Sequence, residues 1–296
     1  MSKRTLALLA AFTASFIYAI NHTIAKGIMP TYIKPFGFIF LRVTGASILF
    51  WMISFMTPSE RIDKKDWLRV LGCAICGMVI NMLMFFKGLE LSTPINSAVM
   101  ITISPILVFI LSVFIIKEKI TLKRTVGILL GCGGALGLTL FGMKTKVNAP
   151  NIPLGNILFL INATSYAIYL ILVKPLAQKY KSITLMKWFF LIAIFINFPI
   201  TIQEFSEVDW FQLPNHVILI MIFVVVGTTF LTYLLNVYAL KTLKASTIAA
   251  FIYLQPLLAI LFAVSTGAEK LQPLQLLAAL LVFLGVYLVT SKVKTS

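Results

Sequence analysis

Acidic residues are scarce in this chain of 296 residues, which holds 9 Asp and Glu against 25 Lys and Arg. Charged residues make up 11% of the chain, well below the roughly one quarter that is typical of soluble domains. Hydrophobic residues make up 60%, and a soluble fold of this length would not hide so much apolar surface from water. Lipid is the solvent in which such a composition is stable, so the sequence predicts an integral membrane protein.

Histidine and cysteine are also rare, with two and three copies. Cys73 and Cys76 have the spacing of a redox motif, but both fall inside an apolar run with nothing nearby to lower a thiol pKa. The sequence has no H-E-x-x-H pattern, no catalytic dyad at membrane depth and no cluster of metal ligands. We therefore expect no enzyme activity and no cofactor, and a membrane enzyme stands only as an alternative.

Apolar runs of about 20 residues, the length that spans a bilayer, divide the chain into ten predicted helices. The connections between them are too short to hold a soluble domain. The predicted spans are residues 5–24, 36–56, 67–89, 94–116, 122–142, 153–173, 184–202, 214–240, 245–266 and 273–290.

Lys and Arg lie between the apolar runs and form no basic stripe with aromatic residues, so nucleic acid is not an expected partner. Because each predicted helix crosses the membrane, successive connections lie on alternate sides. Eighteen Lys and Arg residues then lie on the side of the N-terminus, and six lie on the other side. Because positive residues favour the cytoplasm, we expect both termini to be cytoplasmic in a multi-pass protein of a bacterial inner membrane.

An internal repeat relates the two halves of the chain. Residues 18–20 with Lys26 recur at 166–168 with Lys174, an offset of 148, and Pro105 with residues 118–119 recurs as Pro256 with residues 269–270, an offset of 151. Each half, 1–147 and 148–296, has five predicted helices. Because five is odd, the second half enters the membrane from the opposite side, which predicts two inverted five-helix repeats around a central cavity.

The same motifs resemble those of EamA-type members of the drug/metabolite transporter superfamily. The matching residues are 85–89, Ala98, Ser104-Pro105, 117–119 and Gly127 in the first half, and 236–240, Ala245, Gln255-Pro256, Glu269-Lys270, 273–275 and Gly285 in the second. The resemblance implies ten helices in inverted repeats, alternating access, and export of amino acids and related small metabolites. Many relatives have Glu where this chain has Gln255, so a proton-carrying role there is in doubt.

Polar and aromatic residues at membrane depth are the candidate substrate contacts, because burying them in lipid is costly. Hydrogen bonding between helices is an equally good explanation for several of them. For His22, near the predicted outer end of its helix, substrate contact and capping of a gate fit equally well. The candidate substrate-binding residues are Tyr18, His22, Asn81, Phe85, Tyr166, Tyr233, Tyr253 and Gln255.

Two prolines and three charged residues near the membrane have other expected roles. Pro105 and Pro256 are predicted to fall mid-helix, where each permits a hinge or a static kink. For Arg42, four arrangements are open. The side chain extends outward to the surface, forms a structural pair, closes an outer gate or contacts an anionic group. Lys87 is expected to pair with Glu90, one turn away, as part of a gate or of the scaffold.

These features and the resemblance predict a secondary transporter that moves small metabolites, namely amino acids or related compounds, outward by alternating access. The predicted helix centres carry no Asp or Glu, so exchange or uniport without proton coupling is open. The alternatives are a facilitator or exchanger of another solute class such as nucleobases or drugs, a membrane enzyme, and a channel. The expected partners are a small-molecule substrate and membrane lipid, and the expected state is a monomer.

Overall fold

The computed structural model describes residues 2–26, 28–58, 60–92, 100–118, 120–142, 150–265 and 273–290. These residues form helices joined by short connections, and no strand occurs among them. Six of the described helices are long and apolar enough to cross a membrane, and shorter apolar helices accompany them. The prediction of an all-α membrane protein is therefore confirmed at this level.

The helices are labelled in chain order. The bounds are Lys3–Lys26 for α1, Pro35–Phe55 for α2, Lys64–Leu91 for α3, Ser104–Ile115 for α4, Leu122–Gly142 for α5, Ile152–Lys179 for α6, Ser182–Ser206 for α7 and Asn215–Leu240 for α8. Helix α9 has three consecutive pieces, Ala245–Ala250, Phe251–Tyr253 and Leu254–Ser265, and α10 spans Pro273–Thr290.

Large apolar side chains point away from the protein interior on several helices. Phe55, Leu129, Phe195 and Leu219 are all more than half exposed. Helices that are apolar on their outer face as well as their inner face are typical of a protein surrounded by lipid. The exposed side chains therefore agree with the composition in assigning this chain to a membrane.

Two helices change from α to π geometry near their centres. In α3 the π stretch is Ile75–Ile80, and in α8 it is Val224–Leu231. With the 151-residue offset of the repeat, the first stretch corresponds to residues 226–231. Such stretches are rare and frequent at functional sites, so their occurrence at equivalent positions directs attention to the space between α3 and α8.

Pro105 and Pro256, which were predicted to lie mid-helix, each lie in the first turn of a helical piece. Helix α4 begins at Ser104, and Pro105 is in its first turn, after a break at Thr102 and Ile103. Pro256 is in the first turn of the last piece of α9, directly after the 3₁₀ turn Phe251–Tyr253. Proline lacks an N–H and fits a first helical turn, so each one begins a new helical piece after a break in its helix.

Other predicted bounds are close to the observed ones, with one clear exception. Helix α6 continues to Lys179, whereas the prediction ended it at Val173. Pro175 lies inside this helix without ending it. The predicted fourth span began at Pro94, and residues 93–99 lie outside the described part of the chain, as do Ala98, Lys119 and Glu269-Lys270 from the repeat motifs.

The glycines of α5 allow close contact with α10. A Cβ atom on Gly127 would lie 2.8 Å from the carbonyl oxygen of Gly285, and one on Gly134 would lie 2.6 Å from that of Ala278. Small residues permit such backbone approach in membrane helices. The small-residue stripe of α5 thus serves packing within the chain.

Contacts between helix ends define two faces of the bundle. On the face where α1 begins, here called the N-terminal face, Arg4 donates to the carbonyl of Thr290 at the end of α10. Lys174 of α6 donates there to the carbonyls of Leu240 and Leu243 at the end of α8. On the opposite face, the carboxylate of Glu204 in α7 accepts hydrogen bonds from the backbone N–H groups of Phe36 and Gly37, at 2.6 and 3.1 Å. These contacts fix the ends of the helices that surround the central residues.

Candidate functional site

Hydroxyl and amide groups of α1 and α8 meet in the interior of the bundle. Thr228 and Thr232 lie one turn apart on α8, so both face α1, and both are fully buried. The Thr228 hydroxyl donates to Oδ1 of Asn21 at 3.1 Å, and the phenol of Tyr18 lies near the side chain of Thr232. Tyr18, a predicted substrate contact, is therefore positioned by α8.

Arg42 of α2 points into this interior and is only 7% exposed. Its Nε donates a 3.0 Å hydrogen bond to the hydroxyl of Thr229 on α8, and its guanidinium carbon lies 5.4 Å from the centre of the Phe86 ring on α3. The side chain therefore does not extend outward to the surface, which was one of its expected arrangements. Tyr18 and Tyr233 lie within electrostatic range of it.

Tyrosine rings from α6 and α8 meet beside the π stretch of α3. The ring centres of Tyr166 and Tyr169 lie 6.1 Å apart, and those of Tyr169 and Tyr233 lie 6.3 Å apart. The Tyr233 hydroxyl donates to the carbonyl of Gly77 at 3.1 Å, and a Cβ on Gly77 would lie 2.6 Å from the Tyr169 ring. Glycine at this position thus lets two tyrosines approach the backbone of α3.

Some groups in this cluster have no hydrogen-bond partner among the described residues. The hydroxyl of Tyr169 is one of them, although its side chain is fully buried. A buried polar group without a partner is costly, and such groups often belong to sites that bind something else. Tyr166 lies within electrostatic range of Tyr18, its equivalent in the repeat, so residues of both halves line the same region.

Asn81 joins two helices. Its side-chain amide donates to the carbonyl of Asn162 at 3.4 Å, and the amide of Asn162 donates to the carbonyl of Asn81 at 2.6 Å. One turn away, the Ser165 hydroxyl donates to the carbonyl of Cys76 at 2.7 Å. These contacts link α3 and α6 directly, in keeping with the alternative that polar residues hold helices together.

Phe85 and Lys87 lie further along α3, toward the opposite face. The Phe85 ring lies 5.4 Å from that of Phe86 and 5.9 Å from that of Phe159. Lys87 forms an ion pair of 2.8 Å with Glu90, and both side chains are partly exposed. The predicted pair of Lys87 and Glu90 is therefore present.

Tyr253 and Gln255 occupy the bend of α9. Tyr253 is fully buried, and its ring fills the space beside Gly131 of α5, where a Cβ would lie 2.5 Å away. Its phenol lies next to the thiol of Cys132. Gln255 is half-buried in the first turn after the bend. Tyr253 therefore lies toward α5, while Tyr18, Tyr166 and Tyr233 meet between α1, α6 and α8. His22 belongs to α1, but its side chain lies outside what the structure describes.

A second buried polar cluster lies at the N-terminal face. Glu118, just beyond α4, pairs with Arg124 of α5 at 3.3 Å, and both side chains are nearly inaccessible. The same carboxylate accepts a 2.6 Å hydrogen bond from Ser246 in the first turn of α9. Negative charge is favourable at a helix N-terminus, so Glu118 ties the end of α4 to the beginning of α9.

Several contributors were not among the predicted site residues. Thr229, Thr232, Tyr169 and Phe86 contact predicted residues in the interior, and Thr228 contacts Asn21. The spacing of Thr228 with Thr232, and of Thr229 with Tyr233, is one helical turn, which is a signal available in the sequence. A separate groove of about 370 Å³ is lined by Thr57, Ser182, Leu234 and Tyr238 among others, and shares no residue with the interior cluster.

Comparison with known proteins identifies a family and several relatives. The EamA-like transporter family matches residues 5–140 and again residues 153–291. An "Uncharacterized transporter" of Archaeoglobus fulgidus is 26% identical over 287 residues, which cover 97% of this chain and 98% of that protein. The "Uncharacterized transporter YetK" of Bacillus subtilis is 26% identical over 172 residues, and the matched part covers 57% of this chain and about half, 52%, of the length of YetK.

The fold is also found among solved structures. One crystal structure superposes with a TM-score of 0.79 at 18% sequence identity, and the match covers 96% of both chains. At this level of identity the likeness concerns the fold alone. It extends over nearly the whole chain, including all the helices that supply the interior cluster.

Proposed function

The chain belongs to the EamA-like transporter family, as its motifs predicted, and from this premise we propose that it is a secondary carrier that exports small metabolites, amino acids or related compounds, across a bacterial inner membrane. The observation that carries the proposal is the interior cluster of Tyr18, Arg42, Tyr166 and Tyr233. Four different helices supply these side chains to one buried region. Aromatic walls with a few convergent polar groups are typical of sites for small molecules.

In the proposed architecture, ten spans form two inverted five-helix halves, residues 1–147 and 148–296. The family matches the chain twice, once in each half. Helix contacts support the arrangement, because α1 packs on α8 as α6 packs on α3, and α4 packs on α6 as α9 packs on α1. Pairs that the symmetry maps onto themselves, α2 with α7 and α5 with α10, also pack closely. Inverted repeats allow one site to be exposed alternately to either side of a membrane.

The π stretches and the breaks before Pro105 and Pro256 support a mechanism of alternating access. Both features occur at equivalent positions in the two halves. A helix that is already interrupted can bend at the break with little loss of backbone hydrogen bonding. In the proposed cycle, α4 and α9 bend in turn, and the Glu118 cluster closes the N-terminal face.

The N-terminal face is proposed to be cytoplasmic. The excess of Lys and Arg in the connections on that side supports this orientation. Within the described helix interiors no Asp or Glu is available to carry a proton, which supports exchange or uniport without proton coupling. The proposed active unit is a monomer, because one chain contains both halves.

Transport assays with the purified full-length chain in proteoliposomes test the proposal. We expect saturable counterflow of labelled amino acids that does not require a pH gradient, and no conductance in planar bilayers. Counterflow of nucleobases or drugs in place of amino acids would change the solute class. A single-channel conductance, or the absence of movement of all three classes, would contradict a carrier of this kind. Strict dependence on protons would exclude the uncoupled mechanism.

A further inference from the structure

Arg42 is a buried cation with no acidic partner among the residues that the structure describes. Its one hydrogen bond within the described residues joins Nε to Thr229, and neither terminal nitrogen of the guanidinium bonds to any of them. The ion pairs found in the described part of the chain all lie at helix ends, on other residues. The charge of Arg42 is therefore uncompensated by any described carboxylate.

The depth of Arg42 in the membrane makes an unpaired positive charge there unfavourable in free energy. It lies about 10 Å along α2 from the start of the helix, at about 1.5 Å per residue. A charged side chain at membrane depth costs on the order of 3 kcal/mol or more, and the Phe86 ring and one hydroxyl recover only part of this. Arginines at such depth are rare, and they mark paths of substrates or ions.

The remaining donors of Arg42 match one kind of group. A guanidinium has five N–H donors in a planar fork, and the Thr229 contact uses only the one on Nε. The free edge presents parallel N–H groups, which bind a carboxylate through two hydrogen bonds. Thr229 fixes the plane of the guanidinium and Phe86 covers it, so this edge is held in one orientation.

The groups around Arg42 fit the rest of such a solute. Tyr18 and Tyr233 lie within electrostatic range of the guanidinium, and Tyr166 and Tyr169 extend the aromatic surface. These rings offer apolar faces and phenol oxygens. No described residue of the cluster offers a carboxylate that would hold an ammonium group.

We infer that Arg42 binds the carboxylate of the transported solute, and that the substrates are small carboxylates whose apolar or aromatic body lies against the tyrosines. The inference rests on the proposed function, because it assigns a substrate class to the same site. It adds a requirement that the family and the fold do not impose: removal of the negative charge from the solute abolishes recognition, whereas removal of an ammonium group does not.

Solute series with matched changes test this requirement on the full-length chain in proteoliposomes. The series for one side chain is L-phenylalanine, 3-phenylpropionate, L-phenylalanine amide and phenethylamine, and the corresponding leucine series is run beside it. We expect counterflow with the two carboxylates and at least a thirtyfold lower kcat/KM with the amide and the amine. Equal rates for the amide or amine and the carboxylates would overturn the inference while leaving the carrier in place.

Variants of Arg42 provide the second arm. Arg42→Gln is expected to lower kcat/KM for the carboxylates at least thirtyfold, so that the difference between carboxylate and amide is lost. Arg42→Lys retains the charge but loses the fork, and is expected to be intermediate. Unchanged carboxylate transport by Arg42→Gln would overturn the inference. Absence of counterflow by the wild-type chain with every amino acid and carboxylate would overturn the proposed function itself.

Binding gives a readout that does not depend on transport. Millimolar carboxylate is expected to raise the unfolding temperature of the wild-type chain in detergent, whereas the matching amide is not. The shift is expected to disappear in Arg42→Gln. Should Arg42→Gln fail to fold, the comparison of carboxylate and amide on the wild-type chain decides alone, since an equal shift for both would contradict recognition through the negative charge.

Discussion

Arg42 and Thr229 are joined by a 3.0 Å hydrogen bond between α2 and α8, although 187 residues separate them in the chain. A hydroxyl that accepts from Nε orients the guanidinium without neutralising it. Thr229 also donates to the carbonyl of Val224 at 2.8 Å, within the π stretch of α8. The orientation of the buried cation is therefore coupled to the irregular part of that helix.

Thr229→Val is expected to weaken solute binding. The substitution removes the hydroxyl that holds Arg42 and keeps the shape of the side chain. A hydrogen bond to a charged group is worth about 1.5–3 kcal/mol, which corresponds to about a ten- to hundredfold increase in KM. Counterflow kinetics of a carboxylate measure the change.

Thr44→Val is the matched control for that substitution. Thr44 lies on α2, two residues from Arg42, and its buried hydroxyl has no partner among the described residues. We expect this variant to transport with the wild-type KM and to be at least as stable. An equal increase in KM for both variants would mean that the Thr229 hydroxyl has no special role.

Asn81→Ala and Asn162→Ala are expected to lower stability without acting independently. Each amide donates to the backbone carbonyl of the other residue, so either substitution removes part of one linked pair. Hydrogen bonds between membrane helices contribute about 0.6–2 kcal/mol. A double-mutant cycle on unfolding free energies in detergent is expected to give a coupling energy of about 0.5 kcal/mol or more. If the two losses of unfolding free energy are additive, and KM is raised in Asn81→Ala alone, Asn81 is a substrate contact and not part of a linked pair.

Gly77→Ala is expected to destabilise the bundle. A Cβ at this position would lie 2.6 Å from the Tyr169 ring, and the Gly77 carbonyl accepts from Tyr233. Overpacking of this kind typically costs about 1–3 kcal/mol, and thermal unfolding in detergent measures it.

Gly133→Ala serves as the control for Gly77→Ala. A Cβ on Gly133 would meet no described atom within 4 Å. Alanine favours helix over glycine by up to about 1 kcal/mol, so this variant is expected to be as stable as the wild type or slightly more so. A larger loss of stability in Gly133→Ala than in Gly77→Ala would be inconsistent with the packing described for the π stretch.

Glu204→Gln is expected to loosen the start of α2. Its carboxylate accepts from the backbone N–H groups of Phe36 and Gly37, which have no partner within their own helix. Loss of such a cap costs about 0.5–2 kcal/mol, and hydrogen exchange of the first turn of α2 reports it.

Glu207→Gln is the control, because Glu207 lies three residues further along and binds only the exposed Lys34 at 2.6 Å. The hydrogen bond that Lys34 donates to Glu207 raises the pKa of Lys34 above its ordinary value of 10.5. A raised pKa of Lys34 means that, while the carboxylate is ionised, the pair contributes fully below pH 10.5 and loses its contribution as the pH rises through the folded value. We therefore expect the difference between wild type and Glu207→Gln to be small, to decrease with salt and to stay constant from pH 6 to pH 9. A difference that changes within that range would contradict the assignment of the pair.

Sequence patterns located most helices because the length of an apolar segment and the residues at its ends are local properties of the chain. The predicted bounds of α5 and α10, residues 122–142 and 273–290, agree with the observed ones. At α6, the predicted end at Val173 does not occur, and the helix continues to Lys179. The Lys174 ammonium binds carbonyls at the end of α8, and no local pattern reveals that partner.

The site was harder to predict than the helices, for a related reason. Polar and aromatic character at membrane depth selected Tyr18, Tyr166 and Tyr233, which the structure brings together. The same criterion did not distinguish these residues from ones that hold helices together. Asn81, whose amide binds Asn162, and Tyr253, whose ring packs on Gly131, are of the second kind. Whether a buried polar residue faces a cavity or a neighbouring helix depends on contacts between distant segments, which spacing along one helix does not encode.

The central cluster has one charged wall and one aromatic wall. Position 190, related to Arg42 by the offset of 148 that links Tyr18 with Tyr166, is occupied by Phe190, whose ring centre lies 5.3 Å from that of Tyr233. In the proposed carrier, a scaffold of two related halves would thus hold the solute in a polarised chamber. The two access states of such a carrier differ in free energy although their backbones are related. The apparent affinity for the solute then differs between the two sides of the membrane, while the final concentration ratio is unaffected.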